Sequence, residues 1–264
     1  MTGIEWTDAT WNPLTGCAHV SPGCDGCYAA REAAGRLSGN HRYAGLAVRP
    51  EGGGLPRFTG EIRLHPDRVD QPLRWRKPRR VFVNSMSDLF HPDVPDEFIV
   101  EVFSIMQRAE SHQFQVLTKR PQRMADLLSS DWFRDELVGM PEEADIPSWP
   151  YPFPNVWLGT SIESDRYAFR ADHGRHRTPA AVRFISAEPL LGPLQSLDLT
   201  GIDWLIVGGE SGPQARPMHP DWVRGLRRTD ESSGSSAAMH QEPSARGQMA
   251  GSDKGSSQRS SQLV

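Results

Sequence analysis

Short apolar runs rich in β-branched and aromatic residues recur along the first 228 positions of this 264-residue chain, each separated from the next by a stretch long enough for a helix. Runs at residues 61–65, 80–85, 114–118, 156–161, 182–186 and 204–207, with a short one before Cys17, read as strands. Near-continuous apolar strands are those covered on both faces, as in parallel sheets. Between them, Phe98, Ile99, Val102, Phe103 and Met106 mark one helical face, and Met124, Leu127 and Leu128 mark another. The alternation predicts an α/β fold: a (β/α) TIM-type barrel, complete or incomplete, with a doubly wound open sheet as runner-up.

Polar residues follow each run. Asn84, Ser85 and Asp88 come after the second strand, Thr118, Lys119 and Arg120 after the third, and Thr160, Ser161 and Glu163 after the fourth. Glu188 follows the fifth, and Gly208, Gly209 and Glu210 the last. The carboxyl ends of parallel strands form the ligand-binding face of α/β folds, so these clusters are candidate cofactor contacts. Capping of the next helix is the competing explanation, since Ser, Thr, Asp and Asn are preferred caps. Lys119 and Glu188 are charged and set deeper than caps, which marks them as candidate catalytic residues. A lysine at the end of a central strand cannot enter apolar layers without a large desolvation cost, so Lys119 is expected to meet an anion at the cavity mouth. Gly208 and Gly209 would let the backbone approach a phosphate or carboxylate closely, or simply form a turn.

All three cysteines, Cys17, Cys24 and Cys27, fall within one 11-residue window that also holds Gly23, Gly26 and Pro22 and is preceded by Gly16. An odd cluster suits a metal site better than a disulfide framework, because one sulfur would be left over. Three thiolates can hold three irons of a [4Fe-4S] cluster and leave the fourth open, whereas electron-transfer clusters take four protein ligands. The other reading is structural zinc with His19 as fourth ligand, in a non-catalytic module that binds a protein partner or nucleic acid.

The run Ile4-Glu5-Trp6-Thr7-Asp8-Ala9-Thr10-Trp11-Asn12-Pro13, the three-cysteine loop ending Cys27-Tyr28-Ala29, and the segments Asn84-Ser85-Met86-Ser87-Asp88-Leu89-Phe90, Leu117-Thr118-Lys119-Arg120-Pro121, Ser186-Ala187-Glu188-Pro189-Leu190 and Val207-Gly208-Gly209-Glu210-Ser211-Gly212 together resemble one family of proteins. It is a bacteriophage and prophage three-Cys-motif family, catalogued by phage gene-product numbers, of unassigned function and remotely similar to radical S-adenosylmethionine (SAM) enzymes. The resemblance spans about residues 3–228. It implies a [4Fe-4S] cluster on Cys17, Cys24 and Cys27, SAM as cofactor, a separate three-Cys-motif protein as partner, and a host-cytoplasmic location. Two features depart from the usual radical SAM pattern. Six residues, not three, separate Cys17 from Cys24, and Gly208-Gly209-Glu210 follows the last strand instead of the second. Family members continue past the Trp222 helix with another strand, whereas here Arg228 leads into a serine-rich stretch.

That stretch, residues 229–264, contains ten serines, no aromatic residue, one leucine and one valine. It offers too little apolar surface to offset its ordering entropy, so it is expected to be a disordered tail behind a single 1–228 domain. With 29 Lys+Arg against 33 Asp+Glu, the net charge of -4 argues against bulk-electrostatic nucleic-acid binding. A local patch of Arg74, Arg76, Lys77, Arg79 and Arg80 around Trp75 keeps nucleic acid as a secondary expectation. The sequence shows no membrane-spanning run and no secretory leader, consistent with the cytoplasm.

Overall fold

A computed structural model of the chain describes residues 4–139, 151–212, 214–233 and 238–241. Six strands, β1 (Ala9–Trp11), β2 (Arg80–Val83), β3 (Gln113–Thr118), β4 (Val156–Ser161), β5 (Val182–Ala187) and β6 (Trp204–Val207), form a parallel sheet in chain order. A seventh, β7 (Ala238–Gln241), pairs in parallel with β6. Because every crossover steps to the next neighbour in the same direction, the order never reverses as it must in a doubly wound sheet, and that alternative falls away. Right-handed crossovers of this kind place all their helices on one face.

The helices are α1 (Tyr28–Ala34), α2 (Pro66–Val69), α3 (Asp96–Arg108), α4 (Pro121–Leu128), α5 (Asp131–Gly139), α6 (Arg170–His176) and α7 (Pro220–Ser233). Strand residues of one parity, among them Val81, Val83, Phe114, Val116 and Leu158, pack under α3, α4 and α5. Ile185, Ala187, Leu205 and Val207 continue that layer under α6 and α7. The opposite parity would face water if the sheet were flat. Instead Phe82, Leu117, Trp157, Phe184, Trp204 and Ile206 gather around Trp6, which is 4% exposed.

Curvature follows from that cluster. The Trp6 ring lies 4.8 Å from Phe82 on β2 and 5.8 Å from Trp204 on β6. Four inter-strand steps of a flat sheet would hold those two strands roughly 19 Å apart. The sheet therefore curls around Trp6, and each buried ring of this kind contributes about 1.5–3 kcal/mol. Gly159 makes room for the filling: a Cβ there would stand 2.5 Å from the Phe184 ring.

Among the described residues the curl does not close: β1 pairs only with β2 and β7 only with β6, so the sheet is an open relative of the expected barrel. Residues 61–65, expected in the main sheet, contribute only Arg63–Leu64, paired antiparallel with Leu14–Thr15. Gly60 at φ +97° and Pro66 at the start of α2 bound that segment and leave it too short for a sheet strand. The expected boundary after Arg228 falls inside α7, which runs on to Ser233, and β7 follows it. A strand pairs through its backbone, which composition does not report. Residues 242–264 and most of the proline-rich 141–154 segment lie outside the described residues. No described helix is long and apolar enough to cross a membrane.

Candidate functional site

The turn after β2 and the end of β3 are knotted together by one carboxylate. Asp88, 5% exposed, accepts from Thr118 Oγ1 at 2.7 Å and Phe90 N–H at 3.0 Å on Oδ1. Its Oδ2 accepts from Lys119 N–H at 3.2 Å and Arg120 Nη1 at 2.8 Å. Charge-assisted bonds of this density hold a rim rigid. Lys119 extends toward β4 instead, where Nζ donates to Ser161 Oγ at 2.8 Å. Among the described residues this half-buried ammonium forms no ion pair. Ser161 Oγ in turn donates to the Glu188 carbonyl at 3.3 Å.

Asn84 follows β2 in the left-handed region at φ 63°, which asparagine tolerates better than most residues. It is 3% exposed, and among the described residues neither Nδ2 nor Oδ1 has a hydrogen-bond partner. Ser85 exchanges hydrogen bonds with Asn12 at 3.2 and 3.3 Å, which ties the turn after β2 to the end of β1. Thr118 and Thr160 have the helix-facing parity; Thr160 Oγ1 donates to the Thr118 carbonyl at 3.2 Å, so both hydroxyls are held within the sheet framework.

The cysteine loop lies across this rim. Gly16, at φ +97°, starts it where a Cβ would strike the Glu61 carbonyl, and a tight turn at Pro22–Cys24 reverses it. Cys27 immediately precedes α1. All three thiols are free. Burial pushes Cys17 up to about 12, Asp88 adds to the rise, and Arg120 offsets part of it. Burial raises Cys27 as well, against backbone donors at Ala30 and Ala29 and the charge of Lys119. Each thiol lies within electrostatic reach of the other two. Cys17 and Cys27 therefore keep their protons near neutrality, and a metal ion would have to displace them.

Two arginine–carboxylate pairs underlie the loop. Glu163, fully buried, accepts from Arg170 Nη1 at 3.0 Å and receives the Gly23 N–H at 3.5 Å. Glu210 receives Arg216 through Nε at 2.9 Å and Nη2 at 2.5 Å, and Gly26 is pressed so closely on that carboxylate that a Cβ would meet its Cδ at 2.6 Å. Burial alone would raise Glu210, but the Arg216 hydrogen bonds and charge outweigh it and hold the carboxyl below its usual range. Glu188 packs its carboxylate against Gly208, and Gly209 is half-buried beside it.

Among the described residues no three His, Cys, Asp or Glu side chains are set to hold one metal ion. His19, the expected fourth zinc ligand, places Nε2 2.8 Å from Asp25 Oδ1. Trp75 is no open stacking platform either: it packs against buried His112 at 5.5 Å, with Arg79 over its ring and Arg74 paired to Asp70. Beside the cysteine loop opens a cleft of about 880 Å³, floored by Lys119 and Arg120 and walled by Val20, Phe90, Trp132 and Phe169. Arg170 and Arg216 escaped the reading of strand ends because a helix and a loop supply them, and Asn12 because it follows the short first strand, whose bounds the sequence does not mark.

Fold and site together define an open, curled parallel α/β protein with a three-cysteine loop seated on the carboxyl rim of its strands. Residues 1–254 match the profile of a family described as protein of unknown function (DUF5131), and the chain belongs to that family. No curated protein matches it. Two solved structures of spore photoproduct lyase are similar to it, both at 12% identity. The cysteine-to-serine mutant has a TM-score of 0.48 over 88% of this chain and 76% of that one. The tyrosine-to-phenylalanine mutant has 0.46 over 86% and 74%.

Proposed function

We propose that this chain is a radical-SAM-like iron–sulfur enzyme whose cluster is held by Cys17, Cys24 and Cys27 and whose cofactor is SAM. The observation that carries the reading is the seating of three free thiols over a rim that, among the described residues, presents a cation with no ion pair, Lys119, and a buried amide without hydrogen-bond partners, Asn84. That donor set fits the pair: thiolates bind irons, an ammonium meets a carboxylate or phosphate, and an amide matches a group with both a donor and an acceptor. When bound, the cluster and SAM supply one-electron cleavage of the cofactor and hydrogen abstraction from a substrate.

The remaining work belongs to the chain itself. Lys119 binds the anionic end of SAM or substrate, and Asn84 orients a neighbouring polar group. Asp88 fixes Thr118 and Arg120 so that the Lys119 backbone does not move. The cysteine loop excludes water from above, and the cleft beside Lys119 and Arg120 admits the substrate.

Anaerobic reconstitution with iron and sulfide, followed by metal analysis and a visible spectrum, tests the proposal. The expected product is brown with about four irons per chain, and Cys24→Ala abolishes both, since the sequence holds no other cysteine to substitute. One zinc per chain with no iron would overturn it.

A further inference from the structure

The cysteine loop leaves the sheet from one edge strand, β1, and its tip comes to rest beyond β6, near the opposite side of the open curl. Its two glycines there sit on different supports. Gly23 faces Glu163, whose partner Arg170 is 3% exposed, and this pair is an internal part of the wall. Gly26 faces Glu210, whose partner Arg216 is 37% exposed and comes from the loop before α7.

Arg216 does more than neutralise Glu210. While its Nε and Nη2 grip both carboxylate oxygens, Nη2 also donates to the Pro22 carbonyl at 2.8 Å, and Nη1 lies 3.5 Å from Asp25 Oδ2. The Arg216 backbone N–H adds a bond to Glu210 Oε2 at 2.9 Å. One guanidinium thus joins the segment after β6 to both sides of Cys24. A second tie lies close by: Arg31 of α1 donates to Ser211 Oγ at 3.3 Å, and Gly212, at φ +107°, has no Cβ to displace that guanidinium. The segment from Gly208 to Gly212 is a seat built for the loop and α1. The planar, five-donor guanidinium is the one side chain that can bind a carboxylate bidentately and still reach a carbonyl.

We infer that Arg216 is a positioning residue, a latch that holds the Pro22–Gly26 tip down on Glu210 and so sets Cys24 and Cys27 over the rim. Glu210 serves as the anchor of that latch, a role different from the cofactor contact expected from its position after a strand. The inference rests on the reading of Cys17, Cys24 and Cys27 as the metal ligands. Its first test nevertheless needs no metal. Cys17 lies at the other end of the loop, under Arg120 and Asp88, and reports on the rest of the fold.

In the metal-free, reduced, full-length chain, maleimide labelling is followed at each cysteine by mass spectrometry. Arg216→Met accelerates labelling of Cys24 and Cys27 by roughly ten- to a hundredfold, the range that one lost hydrogen bond to a charged group corresponds to, and leaves Cys17 unchanged. Arg216→Lys falls between, because it keeps the charge and loses the fork. Glu210→Gln reproduces Arg216→Met, and the double variant adds nothing further. Equal rates in all variants would overturn the latch, as would parallel acceleration of all three cysteines, which signals general loosening. After reconstitution, Arg216→Met loses iron to a chelator faster than the unaltered chain and shows a shifted electron paramagnetic resonance signal. Selective acceleration in a chain that takes up no iron would keep the latch and remove the cluster. Iron uptake without selective acceleration would do the reverse.

Discussion

Along the inner face of the curled sheet, Phe82, Trp157, Phe184 and Trp204 close on Trp6, whereas the carboxyl ends of the same strands present Lys119, Glu163 and Glu210 beneath the cysteine loop. The two halves share a backbone, and each leaves buried polar atoms without a hydrogen-bond partner among the described residues, Trp6 Nε1 and Gln115 Oε1 in the aromatic half; they differ in charge and in backbone strain. The aromatic half packs ring against ring, with centroids 4.8–5.8 Å apart. At the rim a non-glycine residue sits at positive φ and, among the described residues, a buried amide has no hydrogen-bond partner and an ammonium forms no ion pair. Strain and unpaired polar groups cost stability, and they persist where the surrounding structure over-determines them, commonly at ligand sites. The aromatic half is what over-determines this one.

Substitutions in the two halves should separate stability from binding. The largest effect belongs to Phe184→Ala, which empties the space that Gly159 leaves for the ring and costs about 3–5 kcal/mol of folding free energy, read from urea unfolding. A midpoint unchanged from the parent would mean the ring is no part of the core. At the rim, Lys119→Met keeps the stem and removes the charge. Calorimetric affinity for SAM or for an anionic substrate should fall by roughly 1.5–3 kcal/mol, with the unfolding midpoint held. Binding and stability both unchanged would place Lys119 outside the site.

Acid provides the smallest and most graded contrast. Burial lowers the pKa values of His112, near the amino end of β3, and His91, in the turn after β2, below the ordinary 6.5. The unfolded chain takes up protons below that value while the folded chain still refuses them. Stability therefore is full above about pH 6.5 and is lost as pH falls below it. Replacing His112 with Gln should flatten the fall in thermal midpoint between neutral pH and pH 5. The same slope in parent and variant would assign the effect to other groups.

The central strands were legible because alternation is a local property. Val81, Phe82 and Val83, or Phe184 and Ile185, declare a strand buried on both faces without reference to any partner. Residues 61–65 carry a similar pattern and were placed in the wrong sheet, since a short apolar run does not say what it pairs with. The end of α7 and β7 were missed for the complementary reason: serine-rich composition describes side chains, whereas pairing with β6 runs through the backbone. Of the site, Cys17, Cys24, Cys27, Asp88 and Lys119 could be picked out as residue types set at strand ends or in a glycine-rich loop. Thr118 and Thr160 were picked out by the same rule; the Thr118 hydroxyl bonds Asp88, and the Thr160 hydroxyl bonds the Thr118 carbonyl.

By itself, then, the sequence determined the α/β class, the succession of parallel strands and the cysteine loop, because each depends on residues near one another along the chain. Only the tertiary structure decided that the sheet curls, since that depends on Trp6 reaching strands that lie 76 and 198 residues away. It alone also assigned Arg216 to Pro22 and Gly23 to Glu163, partners 194 and 140 residues apart. Such pairs exist only once the curl brings the two edges of the sheet to the same rim, and no local pattern encodes the distance across it.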